Sequence, residues 1–476
     1  MNVSSDDTRC CELTSVPDKC VGAIYRARKC VLTQSQLEAA QKDLSIMTKK
    51  DELFGSEPKV SVLYEEDEEW LSVPRYYGIA RFGQADLIQY VRGKVRPNMK
   101  FNGILDEKRR QVEAVAAILD HFASNSETPP GAIVQMPCGF GKTACAIYVA
   151  CKLQVGAVVI VPNASVLQQQ WVDRFSLFCP GAVVMTLNGR QTELNQQRLQ
   201  SADVIVTTVQ TLSQGCVDPG CFDSLGLCII DEAHSICAPI FQKAIRSVGA
   251  SYRLSLTATP ERQDNLHVGM PHMLGDMVFR AGHHHQTKPT VYLKHFHHKT
   301  LKERSINKNG QKRVLISRML NDLASHNLRC VELTTVIEQL YSGGRTILVL
   351  ADRIDLLIKL HDILIAASVD VGLLIGKTKS EDRSVNISRK VLLASYGLCR
   401  EGFDKSSLDT LVFATPITNI EQSVGRILRG QSKRPPIVID FVDNYSVFFA
   451  YASKRQKFYG SRSYSVNRLP SDAASL

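Results

Sequence analysis

The stretch GAIVQMPCGFGKTACAIYVACKL, Gly131 to Leu153, joins a short apolar run to a segment of helical composition through a glycine-containing loop. AIVQM is predicted as a strand and TACAIYVACKL as a helix, so CGFGKT lies at a strand-to-helix turn. Amides at a helix N-terminus point at phosphates, and Gly139 and Gly141 let the backbone approach them closely. Met136 occupies the place of the first glycine in G-x-x-x-x-G-K-[ST]. A phosphate-binding loop is predicted, with a glycine turn that binds nothing as the alternative.

The loop also supplies side chains for a bound nucleotide. Lys142 is predicted to reach the β and γ phosphates, and the Thr143 hydroxyl to take a place on Mg²⁺. ATP and Mg²⁺ are therefore the predicted cofactors. The residues predicted to bind the nucleotide at this loop are Pro137, Cys138, Gly139, Phe140, Gly141, Lys142 and Thr143.

Two adjacent acids follow the apolar run LCII. Asp231 and Glu232 are thereby predicted at the carboxyl end of a buried strand, where open α/β sheets bind ligands. Asp231 is predicted to hold Mg²⁺ together with Thr143, and Glu232 to orient and deprotonate the attacking water. An acidic first turn of a helix is the structural alternative, but it does not explain two adjacent acids and a histidine at the end of an apolar strand.

A third candidate stretch is EQSVGRILRG, Glu421 to Gly430. Arg426 and Arg429 share one helix face, and Gln422 lies one turn before Arg426. Such guanidinium groups stabilise the charge that develops on a transferred phosphoryl group. A solvated basic helix is the alternative. Because the stretch lies in the other half of the chain from Lys142, ATP is predicted to bind between two domains.

Two series of apolar runs predict the fold class. Runs that alternate with helical segments indicate βαβ units with a parallel sheet covered on both faces. The first series is AIVQM, GAVVIVP, GAVVMTL, DVIVTT, LCIID and RLSLTAT, and the second is TVYLKHF, RTILVLA, VGLLIG, KVLLAS, TLVFAT and PIVIDFV. We predict two α/β domains in tandem, at residues 99–283 and 284–453, after an N-terminal accessory region at 1–98 and before a basic tail at 454–476.

Composition narrows the class of protein. The formal net charge of +10 over 476 residues favours a polyanionic partner. Most of the 14 cysteines lie in apolar patterns, which indicates a reducing compartment. The sequence shows neither a signal peptide nor 18 consecutive apolar residues, so a soluble intracellular protein without a membrane partner is predicted, rather than a secreted or membrane protein.

The motifs together carry a family resemblance. MPCGFGKT, DEAH, TATP and QSVGRILR occur in the order and approximate spacing of the superfamily 2 helicases, between about residues 100 and 450. VPNASVLQQQW, TATPERQDN and REGFD resemble the branch that holds promoter-opening transcription-factor helicases and the transcript-release helicases of poxviruses, and CGFGKT is similar to the poxvirus type. VPRYYGIARFG, Val73 to Gly83, resembles helicases of large DNA viruses.

The resemblance implies further roles. Both domains would be RecA-like, Gln111 would read adenine, and Gly402 and Asp404 would touch both nucleotide and strand. Thr257 and Thr259, with His234, would couple hydrolysis to strand movement. Arg262 and Asp264 match a charged motif of the promoter-opening branch. The residues that would track a nucleic-acid backbone are Pro162, Asn163, Thr208, Asp352, Arg353, Gly376 and Ser395.

The predicted activity is nucleic-acid-stimulated ATP hydrolysis by a helicase or translocase that moves 3′-to-5′ on DNA or RNA. The resemblance implies viral transcription or replication machinery as a partner, in host cytoplasm, nucleus or virion; the oligomeric state stays open. A nucleic-acid clamp that uses ATP without separating strands is the alternative. A small-molecule kinase or GTPase would leave QSVGRILR, TATP and the second series of runs unexplained.

Three weaker signals leave alternatives open. The histidine-rich stretch from His283 to His298 is interpreted as a basic hinge near nucleic acid, with a metal site as the alternative. Aromatic residues in the basic tail fit either single-strand binding or packing on the second domain. Zinc binding by the N-terminal cysteines is disfavoured, because no C-x-x-C pair occurs among Cys10, Cys11, Cys20 and Cys30.

Overall fold

Two large parallel sheets of seven strands each dominate the structure. It is a computed structural model, which describes residues 17–48, 59–124, 130–137, 139–162, 166–189, 198–215, 217–258, 265–281, 288–308, 311–376, 378, 380–401, 405, 407–428, 434–470 and 472–476. Short 3₁₀ turns occur at Lys29–Val31, Pro219–Phe222, Ala233–Ser235, Leu266–Gly269 and Ala473–Ser475. The predicted tandem α/β architecture with an extra N-terminal region is confirmed.

The N-terminal region folds around a five-stranded sheet with the order β5-β6-β2-β1-β7. Its strands are β1 (Lys19–Val21), β2 (Tyr25–Arg28), β3 (Ser45–Met47), β4 (Val60–Val62), β5 (Glu65–Glu66), β6 (Trp70–Val73) and β7 (Leu87–Ile88), of which β3 and β4 form a separate hairpin. The helices are α1 (Gln34–Asp43) and α2 (Arg75–Phe82). A reciprocal capping box between Thr33 and Gln36 fixes the start of α1.

The first large sheet has the order β10-β11-β9-β12-β13-β8-β14. Its strands are β8 (Gly131–Gln135), β9 (Gly156–Val161), β10 (Val184–Leu187), β11 (Val204–Thr208), β12 (Leu225–Ile230), β13 (Tyr252–Thr257) and β14 (Asp276–Arg280). Its helices are α3 (Gln111–Ser124), α4 (Lys142–Leu153), α5 (Val166–Phe178), α6 (Val209–Ser213), α7 (Pro239–Arg246) and α8 (Met270–Leu274). Every residue of β9 and β12 is buried, as the continuous apolar runs predict.

The second large sheet has the order β19-β20-β18-β21-β22-β15-β23. The strands of this half are β15 (Thr290–Phe296), β16 (Ser305–Lys308), β17 (Gln311–Val314), β18 (Ile347–Ala351), β19 (Val371–Leu374), β20 (Val391–Ser395), β21 (Thr410–Phe413), β22 (Ile437–Asp443) and β23 (Ser465–Arg468). The helices are α9 (Ile316–Ser325), α10 (Asn327–Ser342), α11 (Ile354–Ala366), α12 (Ser380–Ser388), α13 (Tyr396–Glu401), α14 (Glu421–Ile427) and α15 (Val447–Ser461). β16 and β17 pair only with each other, as an antiparallel hairpin between β15 and α9.

The basic tail is built into the second sheet. Helix α15 runs across residue 454, and β23 pairs in parallel with β15. Arg455 forms a buried ion pair with Asp440 at 2.7 Å, and the Tyr459 hydroxyl donates to the same carboxylate at 2.9 Å. Of the two interpretations of the tail aromatics, the structure therefore favours packing for Tyr459, which is fully buried.

Two buried arginines join the N-terminal region to the first sheet. Arg75, at the start of α2, donates to the carbonyls of Gly22 at 2.6 Å and Ala250 at 2.9 Å. Arg253, on β13, donates in the opposite direction to the carbonyl of Ala23 at 2.5 Å. Hydrophobic residues of both regions also share one core. The N-terminal region and the first domain are therefore one packed unit.

We predict that Arg75→Leu lowers the melting temperature by at least about 5 °C. The carbonyls that the guanidinium satisfies would stay buried without a donor, which costs roughly 1–3 kcal/mol for each group. Thermal unfolding followed by fluorescence measures the change. Arg81→Leu on the same helix is the matched control, because the Arg81 side chain is 62% exposed and should be nearly neutral. Equal melting temperatures for the two variants would contradict the role given to Arg75.

Candidate nucleotide site

The phosphate loop follows β8 and leads directly into α4. Met136 is fully buried, and its backbone N–H donates to the carbonyl of Thr257 at 2.9 Å, which continues the pairing of β8 with β13. Met136 therefore closes the strand. Gly139 and Gly141 have φ values of 81° and 97°, a region in which a side chain is disfavoured, so these glycines are required by the turn. Cys138 lies outside the described residues.

Lys142 begins α4, and its side chain turns back over the loop. The ammonium donates to the carbonyl of Met136 at 3.3 Å, and the side chain is only partly exposed. Thr143 follows in the first turn of the helix. The lysine, the hydroxyl and the helix N-terminus thus lie at one end of the loop, which is the arrangement that phosphate binding needs.

Two side chains at the start of α3 hold the phosphate loop in place: one lies just before the helix and the other is its first residue. The amide of Gln111 donates to the carbonyl of Phe140 at 2.5 Å and accepts from the N–H of Asp106 at 2.8 Å. Arg109 donates to the carbonyl of Gly139 at 2.7 Å. The adenine-reading role that the resemblance implies for Gln111 stays a prediction; in this structure both ends of its amide bond to backbone groups. In this structure Gln111 holds the shape of the loop, and Arg109 is a contributor that sequence reasoning missed.

Asp231 follows β12 at the same edge of the sheet. One oxygen accepts from the indole N–H of Trp171 at 3.0 Å, and the other accepts from the N–H of Glu232 at 2.9 Å. Burial, and after it the Glu232 carboxylate, raise the pKa of Asp231, while the Lys142 ammonium opposes the rise. The loop lysine and the strand-end acid therefore act on each other electrostatically, as expected if both belong to one site.

Glu232 adopts a backbone conformation that only a few non-glycine residues tolerate. Its φ of 50° and ψ of 47° are left-handed, at a cost of about 1–2 kcal/mol. Its Oε2 lies 3.4 Å from Nδ1 of His234, and the same nitrogen lies 3.3 Å from the hydroxyl of Thr257. His234 thus bridges the carboxyl ends of β12 and β13, where the resemblance implied a coupling role for it.

In the second half, α14 carries Gln422 and Arg426. Arg426 is 6% exposed and donates to the carbonyl of Cys399 in α13 at 2.6 Å. The solvated-helix alternative therefore does not hold for Arg426. Arg429 lies outside the described residues, as do Gly402 and Asp404, so this part of the predicted set stays a prediction.

Residues expected to track a nucleic-acid backbone lie at strand ends. Thr208 is the last residue of β11 and Ser395 the last of β20, and Asp352 and Arg353 directly follow β18. Pro162 follows β9, and Gly376 lies two residues beyond β19. Because each large sheet is parallel, these positions share the carboxyl edge of their sheet. Four further residues of the predicted set lie outside the described ones, namely Asn163, Thr259, Arg262 and Asp264.

Trp171 is the second residue that sequence reasoning missed. Trp171 is the last residue of VPNASVLQQQW, a stretch that carried only a family resemblance at the level of sequence. Its side chain is 2% exposed in α5. Its hydrogen bond to Asp231 spans 60 positions of sequence. Its burial follows from the apolar face of α5, but its partner follows only from how that helix packs on the sheet.

The described residues lack both a membrane-spanning helix and a cluster of metal ligands. None of the helices they form combines the length and apolar composition that crossing a membrane requires. They also contain no group of three or more His, Cys, Asp or Glu side chains arranged to hold a metal ion. Cys20 and Cys30 are free thiols.

One parallel sheet brings a phosphate loop and a strand-end acid pair to the same edge, and a second parallel sheet follows in the chain, an arrangement suited to ATP hydrolysis. The family profile named type III restriction enzyme, res subunit, matches residues 104–262. The chain is 28% identical over 422 residues to a protein of Acanthamoeba polyphaga mimivirus, with 85% of this chain and 77% of the relative covered. That relative bears the name putative ATP-dependent RNA helicase.

Other comparisons agree. A protein of African swine fever virus that is also named putative ATP-dependent RNA helicase is 27% identical over 355 residues, with 69% of this chain and 68% of the relative covered. The structure of S. cerevisiae Dbp5 bound to RNA and ADP BeF3 superimposes with a TM-score of 0.54 at 16% identity, covering 79% of this chain and 94% of that one. This likeness shows the fold, so the predicted RecA-like domains are confirmed. The superfamily and the predicted enzyme class are also supported.

We predict that Asp231→Asn gains stability relative to wild type, by roughly 2 °C or more in melting temperature, as the pH of the nucleotide-free protein rises from 4 to 7.5. A carboxyl whose folded-state pKa is raised favours folding only while it is protonated, and this contribution is lost as the pH rises through the raised pKa. The amide carries no charge at any pH. It replaces one of the two oxygens that accept from Trp171 and Glu232, but that loss does not depend on pH. Melting curves against pH test this, with the exposed Asp223→Asn as control. A melting-temperature difference that is the same at pH 4 and pH 7.5 would contradict it.

Proposed function

We propose that the protein is an ATP-dependent nucleic-acid helicase or translocase. The observation that carries the proposal is that the loop after β8, with Lys142, and the acids after β12, Asp231 and Glu232, lie at the same edge of one parallel sheet. A phosphate-binding cation and two acids at one sheet edge are the parts that nucleoside triphosphate hydrolysis requires. The class of enzyme alone would leave open whether this particular chain keeps an active site.

The residues of the first domain fit a magnesium nucleotide. Mg²⁺ would be held by Thr143 and Asp231, and a cation there would favour the ionised form of a carboxyl whose pKa is raised by burial. When bound, the ion supplies charge neutralisation on the β and γ phosphate oxygens. The loop residues Pro137 to Thr143 would cradle the phosphates, with Gln111 and Arg109 keeping the loop in shape.

Hydrolysis of ATP needs a base for the attacking water and positive charge near the γ-phosphoryl group. Oε2 of Glu232 is buried and lies 3.4 Å from Nδ1 of His234, so the carboxylate is held in place at the sheet edge, where it would orient a water and accept its proton. From the second domain, Gln422, Arg426 and Arg429 would stabilise charge on the γ-phosphoryl group, and Gly402 and Asp404 would contact both nucleotide and strand. ATP would therefore bridge domains 99–283 and 284–453.

Movement along the strand would follow if the two domains bind the nucleic-acid backbone with unequal strength. Backbone contacts at the carboxyl edges of both sheets position a strand without reading bases, and opening and closing of the domains would advance it, 3′-to-5′. RNA is favoured over DNA because relatives from two viruses are named RNA helicases. Within the superfamily we propose the DEAH-containing type close to poxvirus transcript-release helicases, working inside the cell with viral transcription or replication machinery.

We predict that Glu232→Gln lowers ATP turnover by about 10²–10⁴-fold with little change in ATP binding, because it removes only the proton acceptor. Turnover is measured with and without single-stranded RNA or DNA, and nucleotide binding by calorimetry. Glu38→Gln, an exposed change on α1, is the control and should match wild type. A polynucleotide should stimulate ATP turnover by the wild-type protein. If it does not, the proposal of a nucleic-acid motor is wrong. ATP binding without turnover in both proteins would support a clamp instead.

Strand displacement tests direction and unwinding separately. We expect a duplex with a 3′ single-stranded tail to be separated in the presence of ATP, and one with a 5′ tail to remain intact. Lys142→Met, which lacks the phosphate-binding ammonium, is the inactive control. Displacement of only the 5′-tailed duplex would reverse the proposed polarity. If no tailed duplex is separated while ATPase stimulation persists, the protein translocates without unwinding.

A further inference from the structure

The region after β15 is strongly basic. Residues 299–318 contain seven Lys and Arg residues and one acid, Glu303. The structure places β16 and β17 here as an antiparallel hairpin, with Ser305 paired to Val314. We call residues 299–308 and 311–318, which end in the first turn of α9, the basic hairpin. The sequence interpretation placed this stretch within the second domain, residues 284–453, and gave it no role of its own.

The base of the basic hairpin is held firmly. The N–H of Leu315 donates to the carbonyl of Arg304 at 2.7 Å, which closes the hairpin stem. Arg304 forms two hydrogen bonds with the carboxylate of Asp322 in α9, at 2.8 and 3.2 Å. A stem fixed by a bidentate pair presents its side chains in one geometry, so less entropy is lost when a ligand binds.

The basic hairpin lies at the carboxyl edge of the second sheet. It follows the end of β15 at Phe296, and the carboxylate of Glu303 accepts a hydrogen bond from Ser446, in the loop after β22. Arg353, directly after β18, donates to the carbonyl of Ser317 at 3.2 Å. The basic hairpin is therefore attached to the same turn, Asp352 and Arg353, that the family resemblance assigns to backbone tracking.

Its free charges suit phosphate rather than bases. In the part of the chain that the structure describes, no carboxylate lies within ion-pair distance of the exposed side chains of Lys299, Lys302 or Arg318. Residues 299–318 contain no Phe, Tyr or Trp, so the stacking that single-strand binders use to hold bases has no platform here. Unpaired cations without aromatic neighbours fit the phosphate backbone.

We propose that the basic hairpin is a phosphate-backbone contact of the second domain, which holds the strand beside the Asp352–Arg353 turn. This proposal rests on the proposed function, because it requires a polynucleotide at the carboxyl edge of the second sheet. It extends the grip of the second sheet beyond its strand-end loops without adding sequence preference. An acidic protein surface is the competing partner, and it would leave strand binding independent of these lysines.

The test compares Lys299→Gln/Lys302→Gln with Lys42→Gln/Lys243→Gln, a control that removes two exposed lysines elsewhere. Binding of a fluorescent single-stranded RNA 20-mer is measured from 50 to 300 mM salt. We expect the hairpin variant to bind roughly tenfold more weakly at low salt, and the slope of log affinity against log salt to fall by about 0.7 for each lost contact. The control should bind as wild type does.

Further measurements separate the possible results. Lys299→Arg/Lys302→Arg should restore affinity, and ATPase activity without RNA should be unchanged in all variants. If the hairpin variant and wild type bind RNA with equal affinity and equal salt slope, the hairpin proposal is overturned and the proposed function is unaffected. A protein would then be the better candidate for the partner of the basic hairpin. If wild type itself fails to bind any strand, the proposed function falls first, and the hairpin proposal with it.

Discussion

Parallel alignment of the strands is the constraint on which the rest of this structure depends. In a parallel sheet every strand delivers its following loop to the same edge, so residues far apart in sequence meet there. The loop after β8, the acids after β12 and the hydroxyl at the end of β13 converge in this way. The order β12-β13-β8 puts one strand between the lysine loop and the acids. His234, between Glu232 and Thr257, fills the step from β12 to β13.

The site concentrates features that oppose stability. Glu232 holds a left-handed backbone, Asp231 is a buried acid beside another acid, and Gly139 and Gly141 have high conformational entropy in the unfolded chain. Charged ligands reverse this balance, because a cation beside Asp231 and anions at the loop would pair with charges that are otherwise uncompensated. The braces from Arg109 and Gln111 fix the loop before any ligand arrives, which lowers the entropy that binding must remove.

The strands that could be predicted from the sequence are those with continuous apolar residues. All twelve quoted runs coincide with strands of the two sheets, because fully covered parallel strands require unbroken apolar residues. Two of the four edge strands of these sheets were not predicted: β14 reads DMVFR and β23 reads SVNR, and strands covered on fewer sides tolerate polar residues. Contacts between residues distant in sequence were not predicted either. The Trp171–Asp231 and Arg75–Ala250 hydrogen bonds depend on packing, which no local pattern encodes.

The buried arginines also constrain how such a motor can move. Arg75 and Arg253 cross the boundary between the N-terminal region and the first sheet in both directions, and a shared core surrounds them. Rotation there would bury unpaired guanidinium groups, so these two regions must move as one body. Arg455 and Tyr459 fix α15 to β22 in the second sheet, and β23 pairs with β15, so the tail moves with that sheet. Any opening and closing is therefore a movement of the first body relative to the second, and the basic hairpin travels with the second body.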